Sequence, residues 1–227
     1  MRTAIAIIAG CIVAALNAPS SVAVMAQEPS RAAQASDCVT IGTPNPGVVY
    51  HFTRTQSNSG ATQYSQQWET VTKTGSRVKT TGPTGTQIQV NEHRIVDEVA
   101  VLDRTSKRTP QGGVIESTSF KPGVVSDPAF RVCAGRSWQI PPSTATFQTQ
   151  QRTATAQNPA GTLKIVNIRE RITVPAGTFD VVHYVRTSQS VDEYWKSTEH
   201  GVVVKHIATV AGITITETLT SIKPPAR

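Results

Sequence analysis

One-by-one alternation of apolar and polar residues is the feature that most limits what this chain can fold into. The run LKIVNIRERITV, residues 163–174, carries it plainly, with Val166, Ile168, Ile172 and Val174 on one parity. A strand sends successive side chains to opposite faces, so such a run reads as a strand with one covered face. Pro175-Ala176-Gly177 follows, and then TFDVVHYVRT, with Phe179, Val181, His183 and Val185 on one parity. Pro presets φ for the first corner of a turn and Gly supplies positive φ, which predicts a type II turn between two antiparallel strands. No window sustains a helical period, and Thr, Val, Ile, Gln and Ser dominate between turn residues. The expected fold class is mainly β, with little helix.

The same pattern extends through the chain. VVYHF places Val48, Tyr50 and Phe52 together, and TQYSQQWETV does the same for Tyr64 and Trp68. TQIQV and IVDEVAVL flank Asn91-Glu92, a turn or a bulge. RVCAGRSWQI carries Cys133 and Trp138, and the polar TFQTQQRTATA suits an edge strand. In ITITETLTSI, Thr214, Thr216, Thr218 and Thr220 are expected to face water, with Ile213, Ile215 and Leu219 toward the core.

Residues 1–26 read as a cleaved secretory signal: Arg2, then the apolar TAIAIIAGCIVAALNA, then small residues before Gln27. The apolar run is short for a membrane span and is broken at Asn17 and Pro19. Ile8-Ala9-Gly10-Cys11 resembles a lipobox, but the apolar IVAAL after Cys11 argues against a lipid anchor. Residues 27–36 read as a disordered leader, 37–222 as one β domain and 223–227 as a tail. The expected location is the periplasm or the exterior. There Cys38 and Cys133, the cysteines left after cleavage, are expected to pair, tying the N-terminal strand to the middle of the sheet. Closing so long a loop contributes about 4–5 kcal/mol in the chain-entropy model. A redox pair is the alternative, but no C-x-x-C is present.

The net charge is +7, yet the basic residues are scattered, with no basic stripe interleaved with aromatics, so nucleic-acid binding is unsupported. No G-x-S-x-G elbow occurs, and none of His51, His93, His183, His200 and His206 falls in a metal-binding motif. No cofactor, metal or catalytic residue is assigned, and an enzyme is not favoured.

Val174-Pro175-Ala176-Gly177-Thr178-Phe179, then Tyr194-Trp195, then Gly201-Val202-Val203-Val204-Lys205 form an order of motifs across the last quarter of the chain. That order resembles bacterial envelope proteins of unknown function whose fold is similar to the lipoprotein carriers LolA and LolB. The resemblance implies a single antiparallel, strongly curved sheet, an unclosed barrel whose concave face holds an apolar ligand.

Period-two counting adds one pattern. Glu170, His183, His206 and Glu217 each fall on an otherwise apolar parity, one per strand. Unpaired burial of such groups costs several kcal/mol, so each needs a partner or water. If the strands are neighbours, the four form a polar spot in the concave face: a headgroup site, an acid–base pair, or pairs that merely satisfy each other. Trp68, Trp138 and Trp195 are candidate pocket walls, with core packing as the alternative. The expected function is a non-enzymatic binding protein for an apolar or lipid-like ligand or a lipidated partner. The alternatives are a structural or interaction protein of the envelope with a filled core and, remotely, a hydrolase.

Overall fold

The computed structural model describes residues 37–225. The expected signal segment, Cys11 and the leader lie outside the described residues. Every regular element among the described residues is a strand. In chain order these are β1 (Cys38–Thr40), β2 (Val49–Gln56), β3 (Gly60–Val71), β4 (Gly75–Gly82), β5 (Gly85–Val96), β6 (Val99–Arg108), β7 (Val114–Pro128) and β8 (Arg131–Cys133). Then come β9 (Ser137–Ile140), β10 (Ser143–Thr149), β11 (Thr153–Asn158), β12 (Gly161–Val174), β13 (Gly177–Thr187), β14 (Val191–Ser197), β15 (Val203–Val210) and β16 (Ile213–Lys223). Among the described residues no helix is long and apolar enough to cross a membrane, which says nothing about strands.

Two antiparallel meanders, β2 to β7 and β12 to β16, join where β2 pairs with β16. The result is a 14-stranded sheet in the order β11-β10-β7-β6-β5-β4-β3-β2-β16-β15-β14-β13-β12-β9. Its edges, β11 and β9, do not pair with each other, so the sheet is open. Two expectations need correction. The sheet is not single, because β1 and β8 pair only with each other. Nor is the large sheet strongly curled. It is folded over, so that Val101 and Val124 of β6 and β7 share a core with Trp138, Leu163, Ile165 and Tyr184 from the other end of the strand order. Register shifts cluster in the β6/β7 and β12/β13 pairs. A bulge bends its strand locally, which concentrates the bending there.

Cys38 and Cys133 form the expected disulfide, across 95 positions. The bridge ties β1 to β8 in register, not to the middle of the large sheet. Beyond it the Ile41 N–H donates to the Phe130 carbonyl at 2.6 Å and the Gly42 N–H to that of Thr198 at 2.7 Å.

The bulges also upset simple parity. In β12, Leu163, Ile165, Ile168 and Val174 are buried, whereas Val166 is 53% exposed. The shifts at Asn167 switch which residues face inward. Thr216, Thr218 and Thr220 of β16 are half-buried rather than open to water. The tip of the β12–β13 hairpin reaches this strand, the Ala176 N–H donating to the Leu219 carbonyl at 3.3 Å. That hairpin turns at Pro175 and Ala176, while Gly177 opens β13 opposite Val174 with φ 135°. The positive φ holds; a glycine corner of type II does not. Asn91-Glu92 is not a turn but lies within β5 beside a register shift, between Glu92 and His93, where Asp103 of β6 is the extra residue; the turn lies at Asp97 and Glu98, φ 48° and 66°.

Candidate functional site

Residues paired across neighbouring strands share a face, so the register sorts the candidate side chains. Arg54, Glu217, His206, Tyr194 and Tyr184 form one cross-strand row from β2 to β13. Lys205, Trp195 and His183 form the adjacent row, which by alternation projects from the opposite face. The four titratable residues therefore do not make one polar spot. They make two pairs on opposite faces, because parity within a strand does not say which face its neighbour's parity joins.

On the face away from the cavity described below, His183 stacks on Trp195 with ring centres 4.4 Å apart. Its Nδ1 lies 3.2 Å from Glu170 Oε2 and its Nε2 lies 3.5 Å from Glu193 Oε2. Trp195 Nε1 donates to Glu170 Oε1 at 3.1 Å, and the Lys205 ammonium sits 4.8 Å from the centre of the Trp195 ring. Most of these groups satisfy one another, as side chains in a cross-strand ladder do, but the buried His183 Nε2 makes no hydrogen bond.

The other face borders a cavity of about 390 Å³. Phe52, Trp68, Val71, Val78 and Ile95 supply its apolar wall; Gln66, Asn91, His93, Asp127, Lys196, His206 and Glu217 supply polar groups. Ile41 to Pro44 and Asp127 to Phe130, which adjoin the disulfide-tied β1 and β8, also line it. His206 stacks on Tyr194 at 4.4 Å, and Tyr194 on Tyr184 at 4.9 Å. His206 Nδ1 is 3.1 Å from Glu217 Oε2 and Nε2 is 3.3 Å from Asp192 Oδ1. An imidazole between two carboxylates donates to both only as the imidazolium. Burial alone would raise the Glu217 carboxyl, but His206, Arg54 and Tyr64 together hold it below its usual range. Burial, reinforced by nearby carboxylates, pushes Tyr64 and Tyr194 above the ordinary tyrosine value, so both stay protonated.

A second polar group crosses from one arm of the folded sheet to the other. Lys196 of β14 donates to Asp127 of β7 and, at 3.2 Å, to the Pro128 carbonyl. The Tyr184 hydroxyl donates to the other Asp127 oxygen at 2.5 Å. Tyr184 is fully buried, and burial followed by the Asp127 charge holds its hydroxyl protonated. Period-two counting missed this group, because Lys196 shares its parity with Asp192 and Tyr194, which is not an otherwise apolar face.

Of the tryptophans, Trp68 lines the cavity. Trp138 is core, its Nε1 donating to the Asp97 carbonyl at 2.8 Å. Trp195 is buried on the opposite face, where it holds Glu170. Among the described residues no three His, Cys, Asp or Glu side chains are placed to hold a metal ion. No protein-family model, no curated protein and no solved structure matches the chain.

Proposed function

We propose that the chain is an exported, non-enzymatic binding protein that holds the apolar part of a ligand in this cavity. The ligand is a lipid-like molecule or a lipidated partner, held in the manner of LolA- and LolB-type carriers. One observation carries the reading: a cavity of about 390 Å³ stands between the arms of the sheet, walled by Phe52, Trp68, Val78 and Ile95. Protein interiors are otherwise close-packed, and small-molecule sites are apolar concavities with a few placed polar groups. The Cys38–Cys133 disulfide supports an oxidising compartment. Both ring nitrogens of His206 are engaged by carboxylates, which leaves neither poised as a general base. Native mass spectrometry of the exported protein tests the reading. A retained lipid-like mass, released by organic solvent, is expected; a bare chain that also takes up no apolar probe refutes it.

A second reading, an interaction protein, draws on β11. This edge strand exposes nearly all its side chains and contains neither Lys nor Pro, the usual guards of a sheet edge. A partner strand added there would be lost in Thr155→Pro, with the cavity untouched.

A further inference from the structure

We infer that the groove beside the cavity, over β3, β4 and β5, takes a neutral sugar ring, either from a free oligosaccharide or as the head of a glycolipid whose tail enters the cavity. The glycolipid form rests on the binding reading above. The groove has a volume of about 370 Å³ and shares Tyr64, Gln66, Gln89 and Glu217 with the cavity, so the two adjoin across these side chains.

One row of the sheet makes a slot. Phe52 pairs with Tyr64, Gly82 pairs with Gly85, and a Cβ on Gly82 would lie 3.5 Å from that of Tyr64. Phe52 stacks on Tyr64 with ring centres 5.2 Å apart and planes 14° apart, covering one face of the tyrosine. The next two positions in the row are glycines, and nothing lies within 4 Å of a Cβ on Gly85. The slot beside Tyr64 is thus an aromatic wall over a floor without side chains.

The neighbouring row supplies hydrogen bonding. Gln66 pairs with Thr80 and Thr80 with Gln87, and among the described residues their side chains make no hydrogen bond within the protein. Gln89 donates to Asn91 Oδ1 at 3.0 Å, which fixes its amide and leaves its carbonyl oxygen to accept. Amides and hydroxyls both donate and accept, which matches the rim of a sugar, whose hydroxyls do the same. The apolar face of a pyranose, a disc of C–H groups, packs on an aromatic ring. The charges around the groove are already paired: Arg54 lies 3.7 Å from Glu217 and Lys107 lies 2.9 Å from Glu116. A phosphate or carboxylate would have to break those pairs; a neutral polyol does not.

Gly82→Leu tests the slot. The φ of Gly82 is not in the left-handed region and its Cβ would make an ordinary contact, so the variant fills the floor without backbone strain. The probes are maltose, cellobiose, diacetylchitobiose and dodecyl maltoside, with a fluorescent fatty acid for the cavity. The expected result is saturable binding of at least one sugar probe, with saturation transfer to its ring C–H groups. Gly82→Leu then weakens it by roughly tenfold or more while fatty-acid uptake is unchanged. Dodecyl maltoside binding much tighter than maltose identifies the sugar as a lipid head; comparable affinities identify a free glycan. If no sugar probe binds, or Gly82→Leu leaves sugar binding intact, the slot is refuted even where fatty-acid uptake persists. Sugar binding without fatty-acid uptake keeps the slot and removes the apolar cavity reading.

Discussion

Asp127 is the side chain on which the two arms of the sheet meet, and its loss would strand two partners. In Asp127→Ala the Lys196 ammonium, whose side chain is 10% exposed, keeps only the Pro128 carbonyl, and the Tyr184 hydroxyl loses its acceptor. We expect a cost of about 2–4 kcal/mol by chemical denaturation, with Asp127→Ala/Lys196→Met recovering part of it. A double-mutant cycle that returns no coupling would contradict the assignment. His93 supplies a pH dependence. Burial is the leading cause that holds its imidazole below the ordinary value of 6.5, against weaker opposing pulls from the Thr72 backbone and Asp127. The unfolded chain therefore binds the proton more readily than the folded one. The stability this group contributes is present above about pH 6.5 and is lost as pH falls through the lowered folded value. His51 is lowered by burial and acts with the same sign. The melting temperature should fall between about pH 7 and pH 5, less steeply in His93→Gln. Of the site, His206, Glu217 and Trp68 were legible in the sequence, because parity marks a polar or aromatic residue on a covered face. Their separation from Glu170 and His183 was not legible, because it depends on cross-strand register, a non-local property.

At the scale of elements, the β12–β13 hairpin was legible and the β5–β6 hairpin was not. Pro175 and Gly177 mark the first with residues whose backbone preferences are strong. Gly177→Val should cost about 1–3 kcal/mol, since φ 135° is open to glycine and strained for a β-branched residue. An unchanged denaturation midpoint would show that the strand opens differently. The second hairpin turns at Asp97 and Glu98, both at positive φ with no glycine to signal it. Tertiary contacts hold it instead: Arg136 reaches Asp97 at 2.5 Å and the Ala129 N–H donates to the Glu98 carbonyl at 2.9 Å. Glu98→Gly removes the left-handed strain and should raise stability by about 0.5–1 kcal/mol by the same assay.

For the whole molecule, strand content follows from alternation, but the folding-over of the sheet follows from bulges, which leave little trace in a single sequence. The disulfide was legible from the even number of cysteines left outside the expected signal segment; its place in a separate ribbon was not. Cys38→Ser/Cys133→Ser should cost about 2–5 kcal/mol, because it frees a long loop in the unfolded chain. It should also loosen the cavity rim, since Ile41 to Pro44 and Asp127 to Phe130 adjoin the bridged strands. The central claim, that the space between the arms receives an apolar ligand, is tested most directly by titrating a fluorescent fatty acid into the wild-type protein and into Val203→Trp. Val203 lines the cavity and is half-buried, so the indole fills the space. Saturable uptake by the wild type, lost in Val203→Trp while the melting temperature stays close to wild type, is the predicted result. Failure of the wild type to take up the probe, or equal uptake by the two proteins, would contradict it.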